Sequence, residues 1–194
     1  MWGPEGVTRA VADNLKTNLP AAIARLRTVR AVSAAELPDV AAVYPTPREF
    51  AEIAAYPVVM LGARETQGQL ETRTTEIGAE FDEFQLTYRV RALIFCMGTG
   101  YDQTELLTQR ITLAVREALL TNKRYGDPEN GNGAVLDARL LRESYAETAA
   151  SSGGYLGGSW VEIGVRSYER LVSPYASPGV AEAISVHPAL LDEP

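Results

Sequence analysis

The longest alternation in the chain lies at residues 84–94, where Phe84, Leu86, Tyr88, Val90, Ala92 and Ile94 are interleaved with Gln85, Thr87, Arg89 and Arg91. A period of two over this length marks a strand with one face on a core and the other in water. Towards Phe95 and Met97 both faces become apolar, and Gly98, Thr99 and Gly100 then break the strand. Asp102, with Glu105 three residues on, reads as the N-cap of a capping box. The helix it opens is predicted to reach about Leu120, with Leu107, Ile111, Ala114, Val115 and Ala118 as its apolar stripe. Thr104, Gln109, Arg110 and Glu117 lie largely off that stripe. A long strand turning directly into an amphipathic helix makes the expected fold class α/β (α+β).

The flanking sequence extends this plan. Val7, Val11 and Leu15 recur every four residues, and Ile23, Leu26 and Val29 continue a helical pattern beyond Pro20. Pro20 either starts a second helix or kinks a single longer one. Pro38, Pro45 and Pro47 make residues 34–47 an extended connection, with a short strand available at 40–44 and a helical turn at 48–54. Pro57 opens a short buried strand at 57–62. Residues 69–80 have strand propensity but little to bury, which predicts a polar arm, either a strand pair projecting from the sheet or a mobile loop. Residues 122–133 read as a loop. Leu136, Ala138 and Leu140 mark one later strand, and Trp160, Val161, Ile163 and Val165 the last, joined by a glycine-rich hairpin connection over 148–159. A single domain is expected over residues 1–172, followed by an extended tail at 173–194.

Chemistry finds little to work with in these residues. His187 is the only histidine and Cys96 the only cysteine, so neither a Ser-His-Asp triad nor a histidine or multi-cysteine metal site can be assembled in one chain. Cys96, inside an apolar run, reads as a buried structural thiol. The turn at Gly98 and Gly100 lacks the third glycine of a dinucleotide fingerprint and the Gly-Lys-Ser/Thr ending of a phosphate loop. Asp127, Glu129 and Asn130 do not have calcium-loop spacing. Glu80, Asp82 and Glu83 read as a solvated face, and Trp2 and Trp160 as packing residues. No enzyme, cofactor or metal is expected. The net charge of -7 argues against general nucleic-acid binding. Charge is unevenly placed, however. Arg9, Lys16, Arg25, Arg27 and Arg30 face only Glu5 and Asp13 within residues 1–32, whereas 173–194 carry Glu182, Asp192 and Glu193 and no Lys or Arg. No basic-then-apolar leader precedes residue 5, and no apolar run approaches the roughly 20 residues that span a bilayer.

In the order of these elements the chain resembles the tail terminator (tail completion) proteins of long-tailed bacteriophages. The features that match are the helical amino end, the strand from Tyr56, the polar arm, the 84–95 strand leading into the helix at 102–120, and two later strands ending in Ser159 to Tyr168. The likeness covers about residues 5–172; the tail at 173–194 and the extended connection at 34–47 depart from it. It implies a small mixed or antiparallel sheet covered by helices, in a structural virion protein made in the host cytoplasm and located at the head-tail junction. Six copies would form a homo-hexameric ring that caps the tail tube, ends tail polymerisation and provides the surface for head-tail joining. The implied partners are the tail tube protein and the head-closure (stopper) protein of the neck, with DNA passing through the lumen without specific binding and no membrane contact. An assembly interface is expected on the arm, at Arg64, Glu71, Arg73, Glu76, Glu80 and Asp82, and on the basic amino end, at Arg25, Arg27 and Arg30. The alternatives are a head-closure or stopper protein and, from a different class, a small ligand-binding or enzymatic α/β domain.

Overall fold

The structure, a computed structural model, describes residues 3–76, 79–125 and 136–172, with side chains over 3–70, 84–125 and 137–169. It is an α+β fold in which two helices cover one face of a seven-stranded mixed sheet. The elements in chain order are α1 (Gly3–Arg30), β1 (Ala42–Tyr44), a single 3-10 turn (Phe50–Glu52), β2 (Val58–Glu76), β3 (Ala79–Gly98), α2 (Tyr101–Thr121), β4 (Arg124–Tyr125), β5 (Leu136–Tyr145), β6 (Ala149–Ser151) and β7 (Gly154–Val172). The sheet order is β1-β2-β3-β7-β5-β4, with β6 paired to the start of β7. Only β1 and β2 run parallel; every other pair is antiparallel.

The predicted alternation of β3 sets the core. Tyr88, Val90, Ala92, Ile94 and Cys96 are buried under the helices, and their β7 neighbours Val161, Ile163 and Val165 join them. From α2, Leu107, Ile111, Ala114, Val115 and Ala118 complete this layer. The amino end is one helix, not two. Pro20 is exposed within it, while Leu19, Ala22 and Ile23 point inward. Because proline falls on the water side, the carbonyl it leaves unpaired can be solvated, and the buried stripe holds both halves on one core. The helix closes with Ala31 in the left-handed region at φ 51°, where Ala31 N–H bonds Thr28 O and Val32 N–H bonds Arg27 O. That is a Schellman arrangement with alanine at the position glycine prefers.

Two expectations for α2 need correction. The helix begins at Tyr101 with Gly100 as N-cap and no side-chain cap bond. Asp102 therefore lies inside the first turn, where its charge still suits the helix dipole. Glu105 instead accepts a hydrogen bond from Thr148 Oγ1 at 2.6 Å. Thr104, placed off the stripe by its polarity, is fully buried together with Thr108 and Thr112. Each of these three hydroxyls donates to the carbonyl four residues back, so burial leaves none unpaired. The threonines seat the helix closely on glycines. A Cβ at Gly157 would lie 2.2 Å from Thr108 Oγ1, and one at Gly98 would lie 2.5 Å from Thr104 Oγ1.

The long strands exceed their sequence boundaries. β2 passes Gly62 without a break, and the polar arm is a β2–β3 hairpin. It also has a third strand, because β7 pairs with β3 from Gly98↔Tyr155 as far as Phe81↔Val172. The glycine-rich connection before β7 is ordered as the tight hairpin of β6 and β7. Trp2, Asp127, Glu129, Asn130, His187 and the tail at 173–194 lie outside the described residues.

Candidate assembly surface

The helix-side burial thins beyond Tyr88, reaching only Leu86 of β3 and Ser167 and Glu169 of β7. Beyond it, β2, β3 and β7 continue as a three-stranded ribbon towards the hairpin end, a further ~30 Å at the usual rise per residue. Residues 63–70 of β2 are all exposed, and Leu70 and Tyr168 are exposed apolar side chains on the ribbon. Arg64 lies just short of the ribbon, at the register shift between the Ala63–Val90 and Glu65–Arg89 pairs, with no carboxylate partner among the described residues. The backbones of Glu71, Arg73, Glu76, Glu80 and Asp82 belong to the same hairpin, with Arg73 opposite Asp82 and Thr75 opposite Glu80. Their side chains, like that of Glu83, lie outside those described.

The three arginines of the amino end sit elsewhere, on the last turns of α1. Arg25 is ion-paired to Glu117 of α2, an acceptor that holds its guanidinium above the ordinary arginine range. Arg27 donates from Nε to Leu37 O at 2.8 Å and pairs with Asp39 at 2.9 Å, tying the connection after α1 back to the helix. Arg30 borders a shallow depression of about 330 Å³ with Leu26, Leu37, Leu106, Gln109 and Leu113. Within one chain, therefore, Arg25 and Arg27 are structural clamps, and Arg30 has no ion pair among the described residues.

A constellation not anticipated from sequence lies on the sheet face that carries no helix. Register places Arg91 opposite Glu162 and Arg89 opposite Gly164. Glu162 is completely buried, and its carboxylate accepts from Arg89 Nη2 at 2.5 Å, Arg89 Nε at 3.1 Å and Arg91 Nε at 2.5 Å. Burial pushes its pKa up, but these bonds and the two positive charges outweigh it and hold the carboxyl below its ordinary value. Arg89 reaches on to Glu65 of β2 at 2.7 Å, while Arg91 stacks on Trp160 with 4.3 Å to the ring centre and Arg142 of β5 covers the same ring at 5.5 Å. The network thus crosses β2, β3, β7 and β5. Trp160 is a packing residue, as expected, but it packs between guanidiniums and not in the core. Residues 45–55 fold across the same face at its other end, where Arg48 N–H meets Met60 Sδ and Phe50 sits edge-on to Phe95 at 4.8 Å.

This arrangement holds the register of the four strands. Among the described residues, the one buried carboxylate on this face, Glu162, is kept charged by its arginines. On the helix side, Glu169 accepts from Tyr88 Oη at 2.6 Å and Ser167 Oγ at 3.2 Å, and burial raises the Tyr88 phenol above its ordinary range. Cys96 is buried, its thiol pushed up to about 12 by desolvation. Among the described residues, no group of three His, Cys, Asp or Glu side chains could hold a metal ion. No helix among them is long and apolar enough to cross a membrane. Compared with models of known families and with curated proteins, the chain matches none.

Proposed function

We propose that this chain is a structural subunit of a bacteriophage tail, a terminator that assembles as a six-membered ring on the end of the tail tube, stops its growth and presents the surface on which the head joins. The observation that supports this reading is the three-stranded ribbon, which runs well past the helical cover with exposed polar side chains on β2. A monomeric domain gains little from ordering a ribbon whose outer part covers no core, because fixing each residue costs about 1–2 kcal/mol of backbone entropy. A ring subunit recovers that cost in contacts with its neighbours and with the tube. In this role the chain's partners are copies of itself, the tube protein below and the head-closure protein above, and DNA passes through a lumen that does not bind it specifically.

The ribbon can be tested without touching the core. Replacing residues 69–85 with an Asn-Gly turn closes the hairpin at the Gly68–Leu86 pair, leaving the buried part of β3 intact. The shortened protein is expected to fold with the same helical circular dichroism and to fail to support tail completion in a host where it is the only copy. Normal infectious particles built with it would remove the ribbon from the argument.

A further inference from the structure

The sheet ends in two free edges, and their chemistry and direction fit each other. On one side β4 pairs with only Leu136 and Asp137 of β5, so among the described residues nothing pairs with the outer edge of β5 from Arg139 to Tyr145. That edge exposes Leu140, Leu141 and Tyr145, at 39%, 38% and 47% of their surface. Unpaired backbone flanked by apolar side chains is a surface that proteins normally cover. On the other side β1 pairs with β2 only at Val58, Val59 and Met60, leaving the outer edge of β2 free from Leu61 onward among the described residues.

The strands between these edges are β2, β3, β7 and β5, each antiparallel to the next. With four strands in strict alternation, the two outer ones run in opposite directions. A second copy placed beside the first in the same orientation therefore meets β5 with its β2 in antiparallel sense, and the sheet continues from chain to chain. Side-chain faces agree as well. On the helix-free face β5 carries Arg139 and Arg142, neither with a carboxylate partner among the described residues, and β2 carries Glu65. Following the register across the sheet, Arg139 stands level with Gly164, Arg89 and Glu65. Joined without stagger, two copies would place Glu65 of one opposite Arg139 of the other. On the helix side, Leu140 and Tyr145 would meet the small residues Ala63, Thr66 and Gly68.

We infer that copies of this chain join head to tail by antiparallel addition of the free edge of β5 to the free edge of β2 in the next copy. Such a contact is heterologous, using two different surfaces, and it closes into a ring when the rotation per copy divides a full turn. The choice of a second copy as the occupant rests on the ring reading above; the edges and their polarity do not.

The test uses engineered disulfides in the full chain, since the native Cys96 is buried and does not compete. Arg139→Cys is combined in one chain with Gly62→Cys, Glu65→Cys or Gln67→Cys, three helix-free-face positions that sample the stagger. After mild oxidation of concentrated protein, at least one double variant should give a ladder of covalent oligomers on non-reducing gels, and each single variant should stay a monomer. Equal crosslinking of a single variant would mean a symmetric edge-to-edge dimer and would overturn the inference. So would the absence of a ladder from all three double variants. If sedimentation shows those uncrosslinked variants as oligomers, the strand pairing falls and the ring reading stands; if they are monomers at millimolar concentration, this chain does not self-associate through these edges.

Discussion

Gly157→Ala is a sharp test of how α2 is seated. The residue lies on β7 opposite Cys96 and has no positive φ, so alanine is conformationally acceptable and would ordinarily gain about 0.5–1 kcal/mol in a strand. The obstacle is steric. The new Cβ would stand 2.2 Å from Thr108 Oγ1, with Thr104 Cγ2 at 3.2 Å on its other side. Thr108 is fixed by its bond to Thr104 O at 2.8 Å, and turning it would swing a methyl into the same space. Relief requires a helix displacement of about 1 Å, and overpacking of that kind costs about 1–3 kcal/mol. The net loss should be about 1 kcal/mol, a fall in Tm of about 2–4 °C for a chain of this size. Thr108→Ala alone removes a hydroxyl bonded to its own helix and should cost under about 1 kcal/mol. Combined, the closest remaining contacts are 3.2 Å to Thr104 Cγ2 and 3.4 Å to the Cβ of residue 108. The double variant should therefore recover at least about 1 kcal/mol in a urea-denaturation cycle. A neutral Gly157→Ala, or a double variant no better than Gly157→Ala alone, would refute the close helix–sheet contact.

Three further outcomes follow from local geometry. Gly154→Ala should be more damaging, by about 3 kcal/mol, because φ there is 135° and the Cβ would meet the Gly98 carbonyl oxygen at 2.3 Å; thermal melting compared with Gly157→Ala checks the order. Ala31→Gly should stabilise by about 0.5–1 kcal/mol, since φ 51° suits glycine and the residue is exposed; a lower urea midpoint would contradict the Schellman end. Glu162→Gln should cost about 1–3 kcal/mol at pH 7, where the carboxylate is charged and accepts three bonds from Arg89 and Arg91. Its folded pKa lies below the unfolded value near 4.3, so the stabilisation is complete above that pH and is lost as pH falls through the folded pKa. The stability gap between wild type and Glu162→Gln should close on acidification, measured by denaturation from pH 7 to pH 3; a gap that widened would reverse the sign of the shift.

The elements that formed as read are those whose signal is local. The alternation of β3 and the stripe at Leu107, Ile111 and Val115 each fix a buried face through their own period. What local pattern could not show was pairing. Nothing near Arg91 specifies that Glu162, seventy-one residues later, will stand opposite, so the Arg–Glu–Arg network and the Trp160 stack were hidden in two ordinary polar strand faces. The third strand of the ribbon was hidden for the same reason. Thr104 misled because residue type was read as exposure, whereas a helical threonine can satisfy its hydroxyl on its own backbone and be buried like valine. Asp102 misled by two residues: the cap fell on Gly100, whose extended backbone at φ -132° supplies the N-cap geometry without a side chain. Of the expected interface, the hairpin placed Glu71, Arg73, Glu76, Glu80 and Asp82 on one ribbon with Arg64 on β2 just before it, and ion pairs within the chain engage Arg25 and Arg27.

The central claim, that this chain ends tail growth, is tested most directly by the length of tails in lysates from which it alone is missing, measured by negative-stain electron microscopy. The account predicts tubes that run past a single defined length and carry no heads. Tails of uniform length beside emptied heads would assign it to head closure, and intact particles would contradict the account.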